Sequence, residues 1–249
     1  MPWDTWLIFL FLGVVVPWRG RARMKKLLAM ERVGTAERVA LYAATIAFQW
    51  LAAGIVAWRA WRRGFSFSEL GLAKGEPVRM VMASLTGALV IGLLQWVNLR
   101  RIGRLPMEAR GRLQAVSERL LPQSWIERLP FFALAITAGL CEEFLYRGFA
   151  MAALWRTGLV SWEVVLVSSA LFGLAHLYQG RGGLVGTLLI GAVFGIARIA
   201  YDSLIPAAVW HAVVDLVAGI AGPRYLLPAE ASPRRPGTEL PKDRLSLLL

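Results

Sequence analysis

Two adjacent glutamates, Glu142 and Glu143, lie inside an apolar run that extends from Leu129 to Trp155, and the ten residues from Phe131 to Leu140 carry no charge. A charge at the centre of a membrane span costs about 2.5–3.5 kcal/mol on insertion scales, and ionisable residues kept there usually do chemistry. A carboxylate facing a water-excluded cavity can serve as a general base toward water. Neighbours on a helix point about 100° apart, so the two glutamates cannot both face one pocket. Glu143 and Arg147 are four residues apart and share a face. The spacing therefore predicts that Arg147 holds Glu143 and that Glu142 is left to face a cavity.

The chain has two histidines, and both fall inside apolar segments. His176 follows Phe172 by four residues, close enough for ring and imidazole to pack together. His211 precedes Asp215 by four, so that Asp215 could orient it. Each pair has a plainer explanation when taken alone: a buried ion pair for Glu143–Arg147, a helix-end histidine for His176, an interhelical hydrogen bond for His211–Asp215. That both histidines are placed this way points to one shared site. Depth is a test of it. Glu142 lies about 20 Å along its helix from Trp155, His211 about 10 Å past Leu204, and His176 about 22 Å from Ser161. The three meet only if the glutamate helix extends beyond the membrane core or the turn after His176 is sunk. Cys141, beside Glu142, reads as small packing material.

The elements that must position these residues are membrane helices. Of 249 residues 57% are hydrophobic and 18% charged, with 11 Trp, whereas a soluble domain carries about 45–50% apolar and 25% charged residues. We expect an all-α polytopic integral membrane bundle of about seven or eight transmembrane helices. The net charge of +12 sits in gaps between apolar runs, where topology determinants and anionic headgroups place it, so the bilayer, and no nucleic acid, is the expected partner of the basic residues. One cysteine excludes an internal disulfide and a multi-cysteine metal site. Asp4 and the Pro17-Trp18-Arg19 run do not fit a cleavable signal peptide.

In order, the chain gives a short apolar run (Trp6 to Val16), a basic segment (Arg19 to Arg38), spans from Val39 to Trp58 and Met80 to Val97, and a basic stretch from Asn98 to Arg128. In that stretch Leu113, Val116, Leu120 and Leu121 recur at helical spacing, which predicts an amphipathic surface helix. Then follow Leu129 to Trp155, Ser161 to His176, a glycine-rich turn at Gln179 to Gly183, Leu184 to Ala197 with Gly191 and Gly195 in small-xxx-small spacing, and Leu204 to Gly219 with Pro206 near its start. The division expected is 1–128 for N-terminal helices and the basic segment, 129–222 for a four-helix catalytic core, and a disordered tail over 223–249. With seven spans and the N-terminus outside, 20 Lys/Arg fall in gaps on the inside and seven outside, Arg147 lying within a span.

Glu142-Glu143-x-x-x-Arg147, Phe172-x-x-x-His176 and His211-x-x-x-Asp215, in this order on successive apolar segments, resemble the CAAX protease and bacteriocin-processing (CPBP, or Abi) family of intramembrane endopeptidases, which is related to the type 2 CAAX prenyl protease. The resemblance covers about Phe131 to Gly219. It implies a hydrolase of the bacterial cell membrane in which Glu142 and His176 activate water, Arg147 anchors Glu143, and His211 with the residue at position 215 stabilises the oxyanion. The family often has Asn at that last position. A carboxylate donates no hydrogen bond unless protonated, so Asp215 either stays neutral or orients His211. The implied substrate is a membrane-associated peptide or protein. Other protease types fit less well, since there is no His-Glu-x-x-His, no Gly-x-Ser-x-Gly and, beside Tyr201-Asp202, no second intramembrane aspartate in a glycine-rich setting.

Zinc is the open alternative for the chemistry, because Glu142, His176, His211 and Asp215 are all ligand types. Against it, no side chain near His176 in sequence offers an outer-shell partner, although a backbone carbonyl or a residue from another helix could stand in, and no closely spaced ligand pair such as His-x-x-x-His is present. The expectation is a metal-free site with no cofactor. Two other functions remain: a bacteriocin-immunity or binding protein that keeps the fold without turnover, and a proton-coupled transporter, for which the first half shows no matching repeat.

Overall fold

Acidic side chains, prolines and glycines set where the helices start and stop. The computed structural model describes residues 1–73 and 75–227. Among these, eight helices follow one another without a strand: α1 (Trp3–Ala29), α2 (Thr35–Arg62), α3 (Pro77–Gly103), α4 (Met107–Leu120), α5 (Trp125–Trp155), α6 (Ser161–Ala175), α7 (Arg181–Tyr201) and α8 (Ile205–Leu226). The Glu76 carboxylate accepts from the backbone N–H groups of Val78 (3.1 Å) and Arg79 (2.6 Å), capping α3 just ahead of Pro77. Glu163 reaches back to the Val160 N–H at 3.0 Å at the start of α6. Asp202, at φ 48°, takes the left-handed conformation that ends α7.

Six of these helices are long and apolar enough to cross a membrane, and α6 is a shorter apolar one. The chain is an integral multi-pass membrane protein. Exposed tryptophans mark both interfaces, with Trp3, Trp58, Trp61 and Trp162 at one end and Trp18 and Trp125 at the other. At the first end Asp4 pairs with Arg59 and Arg63, and Leu204 donates to the Gly71 carbonyl at 2.8 Å. The opposite end holds the basic gaps and α4. Helix α2 packs on α5, α3 on α8, α8 on α5, and α6 on α7. Gly195 of α7 sits so close to Val165 that a Cβ there would come within 3.1 Å of it, as the small-residue spacing predicted.

Three boundaries differ from the sequence expectation. The first apolar run is not short: α1 is one 27-residue helix that carries the basic residues Arg19 to Lys26 on its own last turns, with a wider π-helical stretch at Phe11–Val15. Hydropathy ends at Val16, but charged side chains on a helix protruding into headgroups do not break it. The glutamate helix starts at Trp125, four residues before Leu129. The last helix continues through Pro223 to Leu226, so the start of the expected disordered tail is helical, and its remainder, 228–249, lies outside the described residues.

The basic amphipathic segment forms α4, bent at Gly111 (φ 50°). Its arginines donate to carbonyls at the ends of neighbouring elements: Arg110 to Gly103 (2.7 Å) and Tyr225 (3.1 Å), Arg112 to Tyr178 (2.8 Å), Arg119 to Leu27 (3.1 Å) and Met30 (2.9 Å). Carbonyls at helix C-termini lack intrahelical partners and carry negative partial charge, so guanidinium groups are suited to them. Helix α4 is thereby tied across the basic end of the bundle. Its apolar residues Leu113, Val116 and Leu120 line a cavity of about 1430 Å³ beneath it.

Candidate active site

The two glutamates stand at the point where α5 changes its winding. From Phe144 to Ala150 the helix opens into a π-helical turn, a local feature found mostly at functional sites. Glu143 and Arg147 are both fully buried. Arg147 Nη1 lies 3.0 Å from Glu143 Oε1, the i, i+4 pair expected, and Arg147 Nη2 donates to the Gly191 carbonyl at 3.0 Å. A Cβ on Gly191 would stand 2.8 Å from that nitrogen, so only glycine lets α7 come this near. The guanidinium also lies 4.2 Å from the Phe172 ring centroid, a contact strengthened by exclusion of water.

Glu142 points elsewhere, to the wall of the cavity, together with His176, His211 and Asp215. Its Oε2 is 3.9 Å from His176 Nε2 and has no hydrogen-bond partner in the protein. The other oxygen, Oε1, accepts from the Gln49 side-chain amide at 2.6 Å. His176 caps the end of α6, and its Nδ1 is 2.9 Å from the Phe172 carbonyl. A carbonyl only accepts, so Nδ1 carries the hydrogen, and in the neutral ring Nε2 is the acceptor that faces Glu142. The outer partner of His176 is thus a backbone carbonyl one helical turn back, one of the two stand-ins that the sequence left open.

His211 is also tied differently from the expectation. Its Nδ1 lies 2.8 Å from Glu143 Oε1, while Asp215 Oδ2 stands 3.8 Å from Nε2, too far for a hydrogen bond. Glu143 orients His211, and the same oxygen holds Arg147. Asp215 faces the other edge of the imidazole without fixing it. Phe194 stacks on His211 at 5.6 Å with planes 23° apart, and Phe172 lies edge-on at 5.6 Å. Phe172 thus touches His176, His211 and Arg147 at once.

The depth condition is met from both directions. Helix α5 runs 31 residues, about 45 Å against a core of about 30 Å. The turn after His176 lies beside Gly20, where a Cβ would be 3.4 Å from the Tyr178 ring, and α1 continues nine residues past that level to Ala29. The turn is sunk beneath the end of α1 and the arginines of α4.

All six residues singled out in the sequence, Glu142, Glu143, Arg147, His176, His211 and Asp215, come together around Phe172. Gln49 and Phe194 were not foreseen, since neither has a partner at helical spacing that would single it out. Cys141 is buried and free. Asp202 pairs with Arg198 at 2.8 Å on the surface, away from the site. Among the described residues, no group of three or more His, Cys, Asp or Glu side chains has an arrangement that would hold a metal ion.

Residues 123–217 match the model of the family described as Type II CAAX prenyl endopeptidase Rce1-like. The match spans 95 of the 249 residues. The Rce1-like segment holds all six motif residues on α5, α6 and α8, while Gln49 lies outside it, on α2. That family is one of CAAX-type membrane proteases, whose substrates are peptides or proteins in a membrane. No curated protein and no solved structure matches the chain.

Proposed function

We propose that this protein is an intramembrane endopeptidase of the bacterial cell membrane, in which Glu142 and His176 together activate a water for attack on a peptide bond of a membrane-associated substrate. The observation that carries this is the 3.9 Å approach of Glu142 Oε2 to His176 Nε2 on the cavity wall. One water hydrogen-bonded to both groups at about 2.8 Å each fits that separation. Glu142 takes the water proton as hydroxide character develops, and His176 accepts or returns a proton through Nε2 as the leaving amine departs.

The oxyanion side falls to His211. Its Nδ1–H is spent on Glu143, so only an imidazolium can donate from Nε2 to a developing oxyanion. Three carboxylates, Glu142, Glu143 and Asp215, face a single guanidinium here, and a proton on His211 brings that charge closer to balance. Asp215, not itself a donor when ionised, serves the same edge of the ring. No metal or other cofactor takes part in this scheme.

The test uses the full-length protein in lipid nanodiscs, with a fluorogenic farnesylated peptide ending in a CAAX sequence and an unprenylated membrane-anchored peptide as probes. Wild type is expected to cleave at least one of them and Glu142→Gln neither. Cleavage by Glu142→Gln at the wild-type rate overturns the assignment.

A further inference from the structure

We propose that Gln49 is the positioning residue of Glu142, so that the working site is completed by α2, outside the Rce1-like segment. Gln49 sits in the middle of α2 and is buried. Its Nε2 donates to Glu142 Oε1 at 2.6 Å, and the two residues are 93 positions apart in sequence. The Gln49 carbonyl Oε1 has no hydrogen-bond partner. A buried acceptor without a partner is costly to keep, and an apolar side chain of the same shape would remove the cost. The amide is therefore placed for what its other end does.

That function is geometric. A glutamate side chain has three rotatable bonds and, on a cavity wall, several ways to turn. With Oε1 fixed by Gln49, the carboxylate plane is set and the unpaired Oε2 is the oxygen that faces His176. The other wall-side anchors belong to different groups: Arg147 and His211 are both held by Glu143, and His176 by the Phe172 carbonyl. Among the described residues Gln49 alone hydrogen-bonds the Glu142 carboxylate. Held groups react faster than loose ones because the orientational entropy is lost before the reaction, and a displacement of about 1 Å costs about 100-fold in rate.

The proposal rests on Glu142 being the base, and the experiment separates the two. Gln49→Met keeps the length of the side chain and removes the donor; Gln49→Asn keeps the amide but shortens its reach. Both are expected to lower kcat by about 100-fold on whichever of the two probes wild type cleaves, with KM within about twofold of wild type because substrate contacts are untouched. Infrared difference spectra of Gln49→Met against wild type are expected to show a displaced carboxylate stretch. In a Glu142→Gln background that displacement is expected to vanish. If Glu142→Gln abolishes turnover while both Gln49 variants keep kcat within about twofold of wild type, the positioning role fails and the base assignment stands. A rise in KM with kcat unchanged equally overturns it, as does an infrared band that does not move. If Glu142→Gln remains active, the base assignment fails, and the infrared result still reports whether Gln49 holds this carboxylate.

Discussion

Glu143 Oε1 lies 2.8 Å from His211 Nδ1, and the same oxygen takes Arg147 Nη1 at 3.0 Å. One buried carboxylate thus joins a structural cation to an imidazole on the cavity wall. The two adjacent glutamates should separate cleanly as a result. Glu143→Gln leaves Arg147 without its counter-charge and is expected to cost about 3–5 kcal/mol of stability, with activity falling as His211 loses its orientation. Glu142→Gln should abolish turnover with a thermal midpoint close to wild type. Parallel melting curves and peptide cleavage assays check this, and a Glu143→Gln protein as stable as wild type would contradict it.

Helix α8 approaches α5 at Gly139, where a Cβ would stand 2.6 Å from the Ala208 carbonyl and 3.1 Å from the Ala212 amide nitrogen. Gly139→Ala must part the helices that carry Glu143 and His211. We expect a loss of about 1–3 kcal/mol accompanied by reduced kcat. Gly54 of α2 has nothing within 4 Å of such a Cβ, and Gly54→Ala should be neutral or stabilise by about 0.5–1 kcal/mol. Equal effects at the two glycines would refute the close-approach explanation.

Glu69, in the loop between α2 and α3, accepts from the Ser66 N–H at 2.8 Å and binds Arg156 through both oxygens at 2.7 and 2.9 Å. The Ser66 N–H, aided by Arg156 and opposed by partial burial, holds its carboxyl below the ordinary 4.5. A carboxylate depressed in the folded state contributes stability above its unfolded pKa and loses it as pH falls through the folded one. Glu69→Gln should therefore melt below wild type at pH 7, and the gap should close in acid, below the ordinary carboxylate range. A gap that stays constant across that range would count against the latch.

Dialysis against a strong chelator should leave wild-type cleavage unchanged. Metal analysis and add-back of zinc complete the measurement: activity lost to the chelator and restored by stoichiometric zinc would make Glu142, His176 or His211 a ligand and defeat the proposed chemistry.

What could be seen in the sequence was whatever lies within one helical turn. Glu143 with Arg147 and Phe172 with His176 follow from the helical repeat alone, and the chain's apolar excess made the membrane bundle plain. The same repeat misled at Asp215, where an i, i+4 neighbour of His211 lost its place to Glu143 on another helix. Gln49 illustrates the limit most clearly. A single amide in an apolar span has no periodic partner, and its role depends on the packing of α2 on α5. The length of α1 was hidden for a different reason, since hydropathy registers where a helix leaves hydrocarbon and not where it ends.

The cavity under the arginine-tied α4 is one-ended: its lining runs from Gln49 and Glu142, at mid-helix, to Arg19, Arg110 and Arg112 at the basic end of the bundle. Under the proposed function, a substrate anchored in the leaflet at that end can bring a bond to Glu142 along the cavity, whereas one anchored in the opposite leaflet would have to carry its polar backbone across the midplane. Two substrates of identical sequence, inserted from opposite sides of a sealed vesicle, would then meet different fates.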